Sequence, residues 1–299
     1  MSDARWFCAA LRAGMLAMLT SNLYAAEGDS PAEKLLNASR PLVIGHRGYC
    51  SIAPENTLPS FKLAKTAGAD MVELDYHHSK DGELIVIHDP TLDRTTDAVA
   101  KWGGSKIRVE DKTLAELKTL DAGAWFDPQF AGTRLPTLKE ALELIQAGNV
   151  TLIERKGGDA AACIDLLHDR NLINRVVVHS FDWKYLADFH RQEPRQILSA
   201  LGPLGYRDGK KLTEPEKFLN ERWVDDALQS GVRAMGWNNL VTKEAVAYAH
   251  QKKLRIFIYT IDDPAEANRL LDLGVDGIIT NNTSLIWRTI ALRGGKTPT

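Results

Sequence analysis

Two histidines and a pair of acids stand out for the chemistry they could share. His46 opens the turn His46-Arg47-Gly48 after the apolar run Leu42-Val43-Ile44, Glu73-Leu74-Asp75 closes a second such run, and His88 closes a third. Carboxylates hold hard cations and imidazoles move protons, so this set suits metal-assisted phosphoryl chemistry and points to a hydrolytic enzyme. On a strand, alternation sends Glu73 and Asp75 to one side and Val72 and Leu74 to the other. Carboxylates about 7 Å apart along a strand can share calcium or magnesium, which prefer oxygen ligands. Glu154 ends the run Val150-Thr151-Leu152-Ile153 and supplies a third carboxylate. Lys156 falls on the same side, a positive charge that makes sense beside three acids if the substrate brings a phosphate. His46 and His88 then fit a general acid and a general base. A single acid at a strand end is usually solvated, and a lone histidine there is usually structural; the paired spacing lifts these residues above that. His77, His78 and His179 are weaker candidates, and His168, His190 and His250 read as helix-surface residues.

The elements that must position these groups alternate along the chain. Apolar runs at 42–45, 71–75, 84–87, 150–154, 175–179, 196–200, 232–235, 254–258 and 276–279 read as buried strands. Helical periodicity covers 58–67, 137–147, 159–170, 182–191, 214–230, 242–252 and 264–273. Runs apolar on both faces, such as Val176-Val177-Val178, suit a parallel sheet covered by helices. About eight such repeats predict a closed (β/α)8 TIM barrel, forming one domain over 38–295. Thr113…Glu116 and Thr137…Glu140 fit the capping-box pattern of a helix start, while Gly148-Asn149, Gly231 and Gly274 mark helix ends. Residues 89–135 break the rhythm, with one expected helix near 113–120, and read as a small insertion after the third strand-like segment, lying over the barrel mouth. Its Trp102, Trp125, Phe126 and Phe130 either line a substrate groove or form a small core of their own.

The formal net charge of -2 advertises no basic face for nucleic acid or anionic lipid. Arg5 and Arg12 precede or flank the short apolar stretch 13–19, and Ala25-Ala26 precede Glu27, which is the order of a secretory signal peptide over residues 1–26. That stretch is too short for a stable membrane span, so the expected location is the periplasm or the exterior. Of the three cysteines, Cys8 would leave with the leader, and Cys50 and Cys163 form no CxxC pair that would suggest a zinc ribbon. An oxidising compartment permits a Cys50–Cys163 disulfide without requiring it. No Walker loop, nucleophile elbow or dinucleotide fingerprint calls for an organic cofactor.

Taken together, His46-Arg47-Gly48, Pro54-Glu55-Asn56-Thr57, Gly68-Ala69-Asp70, Glu73-Leu74-Asp75, Lys80-Asp81-Gly82, His88-Asp89, Arg94-Thr95-Thr96, Glu154-Arg155-Lys156, Ser180-Phe181-Asp182 and residues 274–280 resemble the glycerophosphodiester phosphodiesterase family. The resemblance runs from about residue 41 to 281 and implies a TIM barrel that cleaves glycerophosphodiesters to glycerol 3-phosphate and an alcohol with a divalent cation, Ca2+ or Mg2+. It implies that Glu73, Asp75 and Glu154 hold the metal and that His46 and His88 are the acid/base pair. Arg47 and Lys156 would contact the phosphate, with Glu55 supporting, and the substrate's own 2-hydroxyl would attack phosphorus to give a cyclic phosphate. The chain departs from the pattern twice: Ile258-Tyr259-Thr260-Ile261-Asp262 stands where the family carries tryptophan-threonine-valine-asparagine, and Asn281 stands where it carries aspartate. Both departures are expected in the pocket wall, and His77-His78 is an unusual pair that could add a ligand. A lysophospholipase D or sphingomyelinase D-like phosphodiesterase is the alternative, favoured by an apolar groove under 89–135; a non-catalytic binding module would have lost a catalytic group, yet His46, His88 and all three acids are present.

Overall fold

The computed structural model describes residues 29–294. The expected signal peptide, residues 1–26, lies outside the described residues. Eleven strands are formed: β1 (Leu42–Gly45), β2 (Met71–His78), β3 (Leu84–Val86), β4 (Val150–Arg155), β5 (Val177–Ser180), β6 (Ile197–Leu201), β7 (Tyr206–Arg207), β8 (Lys210–Lys211), β9 (Ala234–Trp237), β10 (Arg255–Ile258) and β11 (Gly277–Thr280). Eight of them pair in parallel in the order β1-β11-β10-β9-β6-β5-β4-β2, and β2 pairs back onto β1, which closes the (β/α)8 barrel. β7 and β8 form a separate two-residue hairpin.

The third apolar run has a different role from the one its composition suggests. β3 runs antiparallel to the end of β2, with Tyr76 opposite Val86 and His78 opposite Leu84. It therefore extends β2 beyond the barrel wall and carries no crossover helix, and His88 follows this extension instead of a barrel strand. From there to Thr137 the chain forms short helices at Ala98–Trp102 and Leu114–Leu117 and two 3-10 turns, where one helix was expected. Ile85, Ile87, Leu92, Ala98, Val109, Leu117, Leu120 and Leu135 give this region an aliphatic core, against which Trp102 packs. Trp125, Phe126 and Phe130 stack edge to face on one another, with Trp125 exposed.

Alternation along the strands separates two cores. Leu42, Ile44, Met71, Val150, Leu152, Val177, Ile197, Ala234, Phe257 and Ile279 face the barrel axis and pack together. Val43, Val72, Leu74, Ile153, Val178, Leu198, Met235, Ile256 and Ile278 face outward under the helices, in a second cluster. The helix Pro31–Leu36, unmarked by the sequence reading, adds Ala32 and Leu36 to the inner cluster beside the first residues of the strands. It plugs the amino-terminal end of the barrel. The expected helix 214–230 is instead a 3-10 turn at Pro215–Lys217 followed by the helix Glu221–Leu228, because Asn220 caps a fresh start by accepting from the Trp223 backbone N–H. The capping boxes at Thr137/Glu140 and Thr113/Glu116 are both made.

Candidate active site

Past the apolar inner layer, the next inward positions toward the carboxyl ends are polar. Asp75 lies opposite Glu154, which lies opposite His179, which lies opposite Ser199, so register alone places these side chains around one end of the barrel. That is the face on which barrel enzymes do their chemistry. A cavity of about 30 Å3 sits there, lined by His46, Glu73, Glu154, His179, Phe181, Leu201, Tyr259 and Ile279. No residue of 89–135 lines it.

One oxygen each of Glu73 and Glu154 and one nitrogen of His179 lie within 4.8 Å of one another, all buried. Burial and the neighbouring Asp75 charge push both glutamates up to about 7, while burial pulls His179 down to about 4. Glu73 Oε1 and both ring nitrogens of His179 make no hydrogen bond although they are buried. Orphaned buried acceptors are costly, and a cluster of carboxylate oxygens around a neutral imidazole is the donor set of a divalent cation. The residues present therefore fit a metal.

Asp75 stands at the edge of this group, in a cationic cradle. Lys156 Nζ lies 3.1 Å from its Oδ1 and Arg47 Nε 3.4 Å from its Oδ2, and Lys156 also pairs with Glu154. Asn56 clamps Asp75 twice, its Nδ2 donating to Oδ2 at 2.8 Å and its Oδ1 accepting from the Asp75 backbone N–H at 3.1 Å. Burial works against the Asp75 charge, but Lys156 and Arg47 outweigh it and hold the carboxyl well below the usual range. Arg47 reaches this position because its backbone is left-handed, φ 51°, which lets its own N–H donate to Glu73 Oε2 at 2.7 Å. The next residue must be glycine: Gly48 has φ 88°, and a Cβ there would fall 2.4 Å from Ser60 Oγ and 2.7 Å from the Ser60 backbone. Glu55 accepts from both Arg47 and Arg94, at 2.8 Å each, and Arg94 in turn holds Asp89.

The two candidate acid/base histidines are each gripped at Nδ1. His88 Nδ1 lies 2.7 Å from Asp89 Oδ1, and His46 Nδ1 lies 2.7 Å from Asn281 Oδ1. Asn281 also receives the Cys50 thiol at 2.9 Å and donates from Nδ2 to Asp262 Oδ2 at 2.7 Å. Cys50 and Cys163 are both free thiols. His77 donates from Nε2 to the His88 carbonyl at 3.0 Å, and His78 packs against Gly158, so neither joins the acidic group.

The structure thus brings His46, Glu73 and Glu154 to one cavity and rings them with Asp75, Arg47, Lys156 and Glu55. His88 approaches from the β3 side. Two residues carry more than the sequence suggested. His179 was ranked with the weaker histidines, yet it ends a strand in register with Glu154. Asn56 sat in the Pro-Glu-Asn segment without a role, although it is what clamps Asp75.

Comparison with known proteins agrees with this arrangement. Residues 46–285 match the model of the Glycerophosphoryl diester phosphodiesterase family. A glycerophosphodiester phosphodiesterase of Bacillus subtilis is 30% identical over 93% of this chain and 94% of its own length. One of Caldanaerobacter subterraneus is 34% identical over 86% of this chain and the whole of its own. Among solved structures, a protein of Silicibacter pomeroyi superposes with a TM-score of 0.76 at 29% identity, covering 89% of this chain and 99% of its own. An Oleispira antarctica phosphodiesterase in complex with the product sn-glycerol-3-phosphate superposes with a TM-score of 0.72 at 26% identity, covering 84% and 97%. By sequence and by fold, this chain belongs to the glycerophosphoryl diester phosphodiesterase family.

Proposed function

We propose that the enzyme hydrolyses glycerophosphodiesters to glycerol 3-phosphate and an alcohol, with the substrate phosphate held at the cationic edge of the acidic cluster. The observation that carries this is the juxtaposition of Glu73 Oε1 and the His179 ring, buried and without hydrogen bonds, with Arg47 and Lys156, which together fit a cation and a phosphate side by side. Glu73, Glu154 and His179 would hold a divalent metal, with Asp75 beside them, and calcium or magnesium suits the oxygen-rich part of that set. When bound, the metal supplies charge neutralisation at the phosphoryl oxygens. Arg47 and Lys156 add fixed positive charge in a largely buried site, where it acts most strongly on the phosphoryl group. Glu55 keeps the Arg47 guanidinium aimed inward. Of the two imidazoles, one takes the proton of the substrate's 2-hydroxyl as it attacks phosphorus, and the other protonates the leaving alcohol. The neighbouring hydroxyl attacks at high effective concentration, and water then opens the cyclic phosphate with the proton roles exchanged. Following glycerophosphocholine turnover by phosphorus NMR tests this route. A transient cyclic phosphodiester ahead of glycerol 3-phosphate is expected; phosphocholine as the first phosphorus product would contradict it.

The leader-like order of residues 1–26 supports export to the periplasm or exterior. Amino-terminal sequencing of the protein recovered from those fractions should begin at Ala26 or Glu27, and an intact Met1 would contradict export with cleavage.

A further inference from the structure

The two segments at which the chain departs from the pattern it resembles meet in a hydrogen bond between Asp262 and Asn281. Asp262 follows β10 and Asn281 follows β11. Asp262 Oδ2 accepts from Asn281 Nδ2 at 2.7 Å, and Asp262 Oδ1 accepts from the Asn281 backbone N–H at 2.7 Å and the Thr280 hydroxyl at 2.8 Å. The neutral partner of the pair, the Asn281 amide, faces His46. Tyr259, from the first of these departures, lines the cavity wall as expected, whereas the side chains of Asp262 and Asn281 do not.

This pairing has a directional consequence. An asparagine's oxygen and nitrogen are told apart only by their partners. A carboxylate accepts and cannot donate, so the Asn281 amide must turn its NH2 to Asp262 and its oxygen to His46. Cys50 agrees: burial pushes its thiol up to about 12, so it stays an S–H donor, and it too points at Asn281 Oδ1. With an acceptor fixed opposite Nδ1, the Nδ1 of His46 carries the ring proton. Its Nε2 keeps the lone pair.

We infer that Asp262 and Asn281 form a positioning relay that locks His46 in the Nδ1–H tautomer and so presents its Nε2 for proton transfer with the substrate. This rests on the assignment of His46 to proton transfer. The pair contributes hydrogen-bond direction and touches neither substrate nor metal.

The test is a swap. Asp262→Asn places two amide NH2 groups face to face unless Asn281 flips, and the flip presents a donor to His46 Nδ1 and drives the proton to Nε2. Asn281→Asp sets two carboxylates against each other. The double variant Asp262→Asn/Asn281→Asp rebuilds every bond with the roles reversed. Each single variant is expected to lose about 10- to 100-fold in kcat with KM changed less than about 3-fold, and the double variant to recover most of the loss. ¹⁵N-histidine NMR reads the tautomer independently of activity, and Asp262→Asn should reverse the Nδ1 and Nε2 signals of His46. Single variants with wild-type kcat and unchanged NMR signals, while His46→Ala is inactive, would overturn the relay and leave the acid/base reading standing. An active His46→Ala would overturn both. Loss in the singles that tracks a lowered thermal midpoint and persists in the double would reduce the pair to a structural role and overturn the relay.

Discussion

His46 and His88 are held at Nδ1 by different groups, an amide and a carboxylate, which leaves the Nε2 of each for the proposed proton transfer. Replacing either by alanine is expected to lower turnover at least ~100-fold, the usual scale for a missing acid or base; steady-state assay on glycerophosphocholine would show it, and near-normal rates in either variant would remove that residue from the chemistry. Glu73 and Glu154 make a second prediction. In the metal-free protein both are pushed up to about 7 by burial and by Asp75, so near neutrality they share the site with protons. A cation must displace those protons, so raising the pH from 6 to 8 should tighten metal binding at least ~10-fold and release protons on binding. His179, pulled down to about 4, is already neutral across that range and does not oppose the trend. Calorimetry in two buffers of different ionisation enthalpy measures both quantities, and a pH-independent affinity would exclude the glutamates as ligands. At this scale much of the site was legible, because strand-end acids and histidines announce themselves by spacing. His179 was not, since what distinguishes it from the other histidines is its register with Glu154 across a strand pair, which no local pattern encodes.

The elements divide in the same way. Strands buried on both faces and capped helices were readable from composition and capping residues, and the runs at 175–179 and 232–235 prove only slightly displaced, to β5 and β9. β3 was read correctly as extended, but three apolar residues cannot say whether they run with the barrel or against it. Pro31–Leu36 was missed because six residues show too little periodicity, although the Ser30/Glu33 capping box was there to be seen. That short helix does more than its length suggests, because it closes the barrel floor. Leu36, 3% exposed within the inner cluster, is predicted to cost about 3 kcal/mol when replaced by alanine, in line with other buried leucines. Denaturant unfolding would read this, and a change under about 1 kcal/mol would mean the plug contributes little.

For the whole molecule, the closed barrel supplies a dry, apolar floor and wall, and the layer above it gathers acids that cannot neutralise one another. Asp75 finds Lys156, Arg47 and Asn56, and Glu154 finds Lys156, whereas Glu73 and His179 keep buried atoms without a hydrogen bond. This imbalance fits the proposed divalent cation with a phosphodiester beside it. The most direct test is release of glycerol 3-phosphate from glycerophosphocholine by protein stripped with chelator, before and after calcium or magnesium is returned. No release is expected from the stripped protein, with recovery on adding back one of these cations. Full activity in excess chelator would contradict it.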